Sequence, residues 1–215
     1  GTAFHSGMIG KYAMERWTRI PCEVELASEF RYRDPILNAK TLVVAISQSG
    51  ETMDTLMAIR HAKSQGARVL AICNTQGSTI PRESDAVLYT RGGPEIAVAS
   101  TKAFLTQVVA VELLSLYFAQ LRLDKPTAEI KQVMNELVNI SHQIDVVLDT
   151  TDAVKDLAKK YVNAQSVLFI GRHVGFPVAL EGALKLKELA YMHAEGFAAG
   201  ELKHGPIALI EDDIP

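Results

Sequence analysis

The sequence predicts an α/β fold in which parallel strands are covered by helices. One observation is a set of short apolar runs, each typical of a strand buried on both faces of a parallel sheet. These runs are Thr41–Ile46, Arg68–Cys73, Ala86–Tyr89 and Ser166–Ile170, with Pro21–Leu26 as a further candidate. The other observation is that segments with helical periodicity separate the runs. This alternation indicates a parallel sheet with helices on both faces.

The helical segments justify the alternation and also mark a boundary. We predict helices over Phe4–Thr18, Thr52–Gln65, Thr101–Leu121, Ala128–Leu148, Thr151–Asn163 and Phe176–Met192. The short polar segment Leu123–Pro126 ends in a helix-breaking proline and separates residues 1–124 from residues 125–215. A weak repeat aligns Glu23–Tyr32 with Glu195–His204, which favours two related α/β domains, the second one truncated. Since the chain opens on Gly1 and lacks an initiator Met, we expect a segment of a longer protein.

Composition excludes several classes of protein. A net charge of −3 gives no basic surface for nucleic acid. No apolar run reaches the roughly 20 residues that span a bilayer, and the first residues do not resemble a signal peptide. Cys22 and Cys73 are too few for a disulfide scaffold and fit buried free thiols in a reducing cytoplasm. No cluster of metal ligands is visible, so we expect no bound metal. The short apolar runs and the free thiols lead us to expect no membrane segment and a cytoplasmic location.

The segment Ser47–Thr52, here called the serine loop, predicts a phosphate site. It follows a buried strand and opens a helix, and a helix N-terminus offers unpaired N–H groups to an anion. Ser47, Ser49 and Thr52 add hydroxyl groups and Gln48 adds an amide, whereas the loop contains no Lys or Arg. The alternative is that one hydroxyl only caps the helix while a carboxylate compensates the helix dipole.

A second loop of small residues follows the third predicted strand. Gly92–Lys102 leads into a helix, and small side chains at the carboxyl end of a strand leave room for a ligand. The alternative is a simple connection in which Ser100 or Thr101 caps the helix. The residues alone leave both interpretations open.

Three charged residues share one stripe of the helix that follows the fourth strand. Glu181, Lys185 and Glu188, here called the charged stripe, are spaced i, i+4 and i+7, and the opposite face is small and apolar. A loop ending in His204 comes later. A carboxylate and an imidazole are the groups that enolisation of a sugar phosphate needs. The alternative is a solvated helix face with ion pairs between neighbouring turns.

Four motifs together resemble a known family. They are Ser47–Thr52, Ala99–Phe104, Glu181–Glu188 and Ala199–Pro206, and they are similar to motifs of the glucosamine-6-phosphate synthases, the isomerising glutamine–fructose-6-phosphate aminotransferases. Many sugar isomerase (SIS) domains share the first motif, whereas the last two are more specific. The resemblance implies two SIS domains, each a flavodoxin-like, doubly wound parallel sheet of five strands flanked by helices. Residues 1–124 would be the first domain without its first strand, and residues 125–215 linking helices and part of the second.

The resemblance also implies roles for individual residues. The substrate-binding residues would be Thr2, Ser47, Gln48, Ser49, Thr52, Val98 and Ser100. Glu188 would be the base that moves a proton between C1 and C2, and His204 would assist ring opening in the site of a neighbouring subunit. Glu181 and Lys185 would lie around the sugar. No cofactor is implied.

The implied reaction replaces the C2 oxygen of fructose 6-phosphate with glutamine-derived ammonia and isomerises the imine to glucosamine 6-phosphate. The implied partners are a glutaminase domain in the same chain and a second subunit in a homodimer. This chain lacks the glutaminase domain and the C-terminal tail whose lysine forms a Schiff base, and Ala3 stands where many members have a serine. We therefore expect weak binding and no complete synthase reaction from this segment alone. A freestanding deglycase or isomerase, or a sensor of sugar phosphates without catalysis, remains an alternative.

Overall fold

The chain consists of two compact units. The computed structural model describes residues 1–211 and 214–215. The first unit comprises Gly1–Ser115 and the second Leu116–Pro215. Each unit has a parallel sheet with helices packed on it, so the predicted α/β class with parallel sheets is confirmed.

The sheet of the first unit has three parallel strands in the order β1-β2-β3. They are β1 (Leu42–Ser47), β2 (Arg68–Cys73) and β3 (Ala86–Tyr89), which agree with three predicted strands. Ser47 lies opposite Cys73, and Cys73 lies opposite Tyr89. The carboxyl ends of all three strands therefore meet at one edge, where ligands bind in open α/β sheets.

Helices cover both faces of this sheet because successive strand residues point to opposite sides. The helices are α1 (Thr2–Thr18), α2 (Ala27–Arg33), α3 (Met53–Ser64), α4 (Thr79–Glu83) and α5 (Lys102–Arg122). On one face Val69 and Ala71 pack with Ile59 of α3 in a buried apolar cluster. On the other face Ile72 packs with Ala110 and Val111 of α5. The alternation of β2 thus fixes where α3 and α5 lie.

Helix α5 is the one helix among the described residues that is long and apolar enough to cross a membrane by length and composition. Within the first unit its polar side chains are used internally. Gln107 accepts a hydrogen bond from the buried Ser6 hydroxyl at 3.1 Å, and Glu112 accepts one from Trp17 Nε1 at 2.7 Å. These bonds join α5 to α1, as expected of a core helix in a packed domain.

The second unit begins with helices and ends on a two-stranded parallel sheet. Its elements are α6 (Thr127–Val138), α7 (Ile140–Leu148), α8 (Thr151–Lys160), β4 (Ser166–Gly171), α9 (Gly175–Ala190), β5 (His193–Ala198) and 3₁₀ turns at Leu202–His204 and Pro206–Leu209. Helix α9 connects the two strands and packs on them. A Cβ at Gly182 would lie 2.8 Å from the Phe169 ring, so the small face predicted for α9 permits this close approach.

The structure differs from the sequence interpretation in several details. Pro21–Leu26 is not a strand: Pro21 has no N–H, and the amide of Cys22 donates to the Glu15 carboxylate at 3.0 Å. The predicted helix Ala128–Leu148 divides at Asn139.

Strand β5 was not predicted because its sequence is not an apolar run. The aligned repeat segments also differ, since one forms helix α2 and the other forms β5 and a 3₁₀ turn. Among the described residues the two sheets have three and two strands, fewer than the five per sheet that the resemblance implies.

Candidate functional site

The serine loop joins β1 to α3 at the carboxyl edge of the first sheet. Ser47 is the last residue of β1 and is buried, and its Oγ accepts a hydrogen bond from the Gly50 amide at 3.0 Å. Ser49 Oγ accepts one from the Glu51 amide at 3.2 Å. In both contacts the hydroxyl is the acceptor, so its own proton remains to be donated to an anion.

Helix capping does not account for this loop. Thr52 is the N-cap residue of α3, yet its side chain makes no capping hydrogen bond. The Glu51 carboxylate does not serve α3 either, because it accepts a hydrogen bond from the Thr79 amide at 2.8 Å, at the start of α4. This bonding with Thr79 lowers the pKa of Glu51. The hydroxyl of Thr52 and the first N–H groups of α3 are thus left for a ligand.

Gly50 is required by both conformation and space. Its φ is +70°, in the left-handed region that favours glycine. A Cβ at this position would lie 2.0 Å from Ser78 Oγ and 2.8 Å from Cys73 Sγ. The Gly50 carbonyl accepts a hydrogen bond from the Ile80 amide at 2.9 Å. The loop is therefore packed tightly against the turn before α4, which fixes its shape before any ligand binds.

A polar cleft lies beside the serine loop, over the end of β2. Its volume is about 460 Å³, and its polar lining residues are Gln48, Asn74, Thr75, Gln76 and Arg91. Gln48 is shared with the serine loop, and its carbonyl accepts hydrogen bonds from the amides of Asn74 and Thr75. Arg91 follows β3 and brings a formal positive charge that the serine loop itself lacks. We call this feature the Arg91 cleft.

Glu95 fixes the loop after β3 to the start of α5. Its carboxylate accepts hydrogen bonds from the hydroxyl and the amide of Thr101, at 2.7 and 3.1 Å, and from the Ala103 amide at 3.1 Å. The bonds from Thr101 are the main cause of the lowered pKa of Glu95. The Glu95 carboxylate, and not the Ser100 hydroxyl, therefore accepts hydrogen bonds from the amides at the N-terminus of α5.

The two predicted binding residues in this loop have different surroundings. Val98 is fully exposed. Ser100 is half-buried, and its Oγ is enclosed without a hydrogen-bond partner among the described residues. A buried hydroxyl without a partner is costly, and a ligand that bonds to it would remove that cost. Thr2, the remaining predicted binding residue of this unit, is the first residue of α1 and is half-buried.

The charged stripe of the second unit forms a chain of ion pairs along α9. Lys185 Nζ lies 3.3 Å from the Glu181 carboxylate and 2.5 Å from the Glu188 carboxylate. The Glu181 side chain is only 6 % exposed, whereas the Glu188 side chain, at the other end of this row of ion pairs, is exposed. The ion pairs agree with the alternative of a solvated helix face with ion pairs between neighbouring turns, but the burial of Glu181 does not. A lysine between two carboxylates holds Glu188 in place, which suits a base that must be positioned against its substrate.

His204 closes the 3₁₀ turn Leu202–His204 and is exposed. Its backbone amide donates to the Glu201 carbonyl at 2.9 Å. Within the part of the chain that the structure describes, no hydrogen bond or ion pair joins its imidazole to Glu188. The role of His204 in a neighbouring subunit stays a prediction.

The predicted site residues thus fall into two groups, one in each unit. The structure brings the four residues of the serine loop together and links the three of the charged stripe. Sequence reasoning missed Asn74, Arg91 and Glu95, although Asn74 directly follows β2 and Arg91 lies two residues after the end of β3. The rule that ligands lie at the carboxyl ends of strands would have pointed to both. The described residues contain no group of His, Cys, Asp and Glu arranged to hold a metal ion.

The chain is similar to known proteins over its whole length. It is 74% identical to the glutamine–fructose-6-phosphate aminotransferase (isomerizing) of Streptomyces coelicolor. The matched region comprises all of this chain and 35% of that protein. It is 66% identical to the enzyme of the same name from Corynebacterium efficiens, of which it covers 34%. The chain therefore spans about a third of the length of these curated relatives.

Solved structures give the same result. The C-terminal domain of glucosamine-fructose-6-phosphate aminotransferase from Francisella tularensis matches all of this chain with a TM-score of 0.98 at 42% identity, and 61% of that domain is covered. A glucosamine-6-phosphate deaminase from Thermotoga maritima matches with a TM-score of 0.82 at 23% identity, which shows the fold alone; 63% of that protein is covered.

A family model covers most of the chain. The SIS domain model matches residues 1–117 and 160–215, which include the serine loop and the charged stripe. The resemblance inferred from the four motifs is confirmed by these relatives and by this model. The chain belongs to the SIS domain family.

Proposed function

We propose that the chain is the isomerase region of a glucosamine-6-phosphate synthase, acting on fructose 6-phosphate and glutamine-derived ammonia. The observation that carries the proposal is the ion-paired charged stripe. A protein that only senses a sugar phosphate needs the serine loop but gains nothing from Glu188 held by Lys185 at 2.5 Å. The 74% identity to a protein named glutamine–fructose-6-phosphate aminotransferase (isomerizing) supports the same choice.

In this proposal the first unit binds the phosphate. The hydroxyls of Ser47, Ser49 and Thr52 and the N-terminal amides of α3 surround the phosphate oxygens, and Gln48 adds its amide. Val98, Ser100 and Thr2 lie towards the sugar. Binding without a formal charge in the loop depends on dipoles held in place beforehand, and the packing of Gly50 provides that rigidity.

The second unit carries the acid–base chemistry. Ammonia adds at C2 of the open sugar and water leaves, which gives an imine. Glu188 then removes a proton from C1 as the imine nitrogen gains one, which gives an enolamine. Return of the carried proton to C2, with loss of the proton of the C1 hydroxyl, gives the amine and the aldehyde of glucosamine 6-phosphate. Lys185 keeps the Glu188 carboxylate in place, and the buried Glu181 holds Lys185 from the other side. His204 serves ring opening.

The proposal also concerns the rest of the protein, its partner subunit and the domain boundaries within this chain. It places a glutaminase domain in the same protein, a homodimer in which His204 acts across subunits, and a cytoplasmic location. It also divides the chain into a first SIS domain at residues 1–124 and, at residues 125–215, linking helices and part of a second SIS domain, each domain completed to five strands. Coverage of about a third of the curated relatives supports the existence of further domains.

Proton transfer by the full-length protein tests this function. Fructose 6-phosphate is incubated in D₂O, and loss of the C1 proton signal is followed by NMR. We expect exchange with the unchanged protein and a fall of about 10²-fold or more in Glu188→Gln, with fructose 6-phosphate binding retained. Glu136→Gln, which neutralises an exposed carboxylate on α6, is the control and should exchange normally. Binding without exchange in the unchanged protein would favour the sensor instead.

A further inference from the structure

We propose that the Arg91 cleft is a binding site for an oxyanion, a phosphate or a carboxylate group. The cleft measures about 460 Å³, and five of its lining residues offer polar side chains. Arg91 is basic and none of the lining residues is acidic, so the cleft favours an anion over a cation. The inference does not depend on the reaction proposed above.

Asn74 holds the segment that carries Arg91. The Asn74 Nδ2 donates to the Gly93 carbonyl at 2.7 Å, and its Oδ1 accepts from the Thr90 hydroxyl at 3.1 Å and from the Gly92 amide at 2.8 Å. All three partners flank Arg91 in the chain. One side chain from the end of β2 therefore holds the residues on both sides of the arginine.

The backbone of Arg91 is itself unusual. Its φ is +54°, a left-handed conformation that residues with a side chain rarely adopt. Glycine would fit this turn without strain, so the packing of the turn gives no reason for an arginine. A strained residue held by a dedicated hydrogen-bond network points to a role for its side chain.

Two of the polar side chains that line the cleft, those of Arg91 and Gln48, are free to bind. Among the described residues, the Arg91 guanidinium makes no hydrogen bond or ion pair, and the side-chain amide of Gln48 makes none either. The backbone carbonyl of Gln48 is fixed by Asn74 and Thr75, so the loop that carries its amide is ordered. A planar guanidinium and an amide that line the same cleft can form charge-assisted hydrogen bonds with the oxygens of one phosphate or carboxylate.

Two sources of the oxyanion share this chemistry. One is the phosphate of the sugar phosphate bound by the serine loop, which Gln48 also lines. The other is a second ligand that occupies the cleft by itself. The experiment distinguishes them by removing the hydroxyls of the serine loop.

Equilibrium dialysis of labelled inorganic phosphate against the full-length protein, at low ionic strength, tests the proposal. The variants are Arg91→Gln, Ser49→Ala/Thr52→Ala, and both sets combined. Arg19→Gln is the matched control, because Arg19 is exposed, ends α1 and has a φ of 56°. Arg91→Gly, which relieves the positive φ, keeps the test valid if Arg91→Gln folds poorly.

We expect Arg91→Gln and Arg91→Gly to weaken phosphate binding about tenfold, and Arg19→Gln to leave it unchanged. If Ser49→Ala/Thr52→Ala keeps one phosphate that Arg91→Gln removes, the cleft binds a separate ligand. If either set of changes alone removes the same single phosphate, Arg91 contacts the anion of the serine loop. Equal phosphate affinity in Arg91→Gln, Arg91→Gly and Arg19→Gln overturns the proposal. If the unchanged protein does not exchange the C1 proton of fructose 6-phosphate but binds phosphate in a way that depends on Arg91, only the proposed reaction is refuted.

Discussion

The ammonium group of Lys185 lies 2.5 Å from the carboxylate of Glu188, one turn along the same face of α9. On its other side the same ammonium group lies 3.3 Å from the carboxylate of Glu181, which is almost fully buried. The pairing therefore anchors an exposed carboxylate to a buried one through a single cation. Because a buried charge is costly unless it is paired, this arrangement has consequences for stability as well as for chemistry.

Lys185→Met should destabilise the protein by about 3 kcal/mol, because it removes the cation that pairs with the buried carboxylate of Glu181. Chemical denaturation of the full-length protein measures the change. The control is Lys187→Met on the exposed face of α9, which should cost less than about 0.5 kcal/mol. Adding Glu181→Gln to Lys185→Met should restore part of the loss. Equal effects of the two lysine changes would contradict the role of this ion pair.

Gly50→Ala should destabilise the protein by about 3 kcal/mol, because the added methyl group meets Ser78 and Cys73 and the positive φ disfavours alanine. Gly77→Ala is a matched control, since Gly77 has a φ of +72° with nothing within 4 Å of its Cβ position. It should cost only the conformational part, about 1 kcal/mol. Thermal denaturation of both variants separates the two contributions. A Gly50→Ala protein as stable as Gly77→Ala would show that the serine loop is not tightly packed.

Glu95→Gln should weaken the acid dependence of stability. The pKa of Glu95 is lowered in the folded protein by its bonds from Thr101, so the unfolded chain binds its proton more readily. The contribution of Glu95 is therefore present above the carboxyl pKa of the unfolded chain and is lost as pH falls through the lower pKa of the folded state. Melting temperatures measured from neutral to acid pH should fall less steeply in Glu95→Gln than in the unchanged protein.

The control for this measurement is Glu129→Gln, because the Glu129 carboxylate pairs with Lys125 at 3.7 Å and not with helix N–H groups. Its acid profile should match that of the unchanged protein. Glu95→Gln should also weaken fructose 6-phosphate binding, since Glu95 holds the loop that carries Ser100. Identical profiles for all three proteins would mean that Glu95 does not fix this loop.

The sequence predicted best those features that depend on a local pattern of residues. Runs such as Thr41–Ile46 predict buried strands because both faces must be apolar, and β1 runs from Leu42 to Ser47. The serine loop was recognisable because several hydroxyls follow a strand and precede a helix. The charged stripe was recognisable from helical spacing alone, and the structure adds that Glu181 is buried.

What the sequence did not reveal depends on contacts distant in the chain. The positive φ of Arg91 and its support by Asn74 follow from how β2 and β3 lie side by side, which no local pattern records. Pro21–Leu26 is apolar enough for a strand, but a glutamate from α1 takes the amide of Cys22. Strand β5 contains charged and small residues, so only its pairing with β4 identifies it.

Binding of fructose 6-phosphate, compared with fructose, tests the central claim most directly. Calorimetric titration of the full-length protein should show binding of the phosphorylated sugar and none of fructose at the same concentrations. Ser49→Ala/Thr52→Ala should weaken the binding of fructose 6-phosphate by about tenfold or more, because two hydroxyl contacts to the phosphate are lost. Equal binding of both sugars, or no effect of the two substitutions, would contradict the assignment of the serine loop as the phosphate site of a sugar-phosphate isomerase.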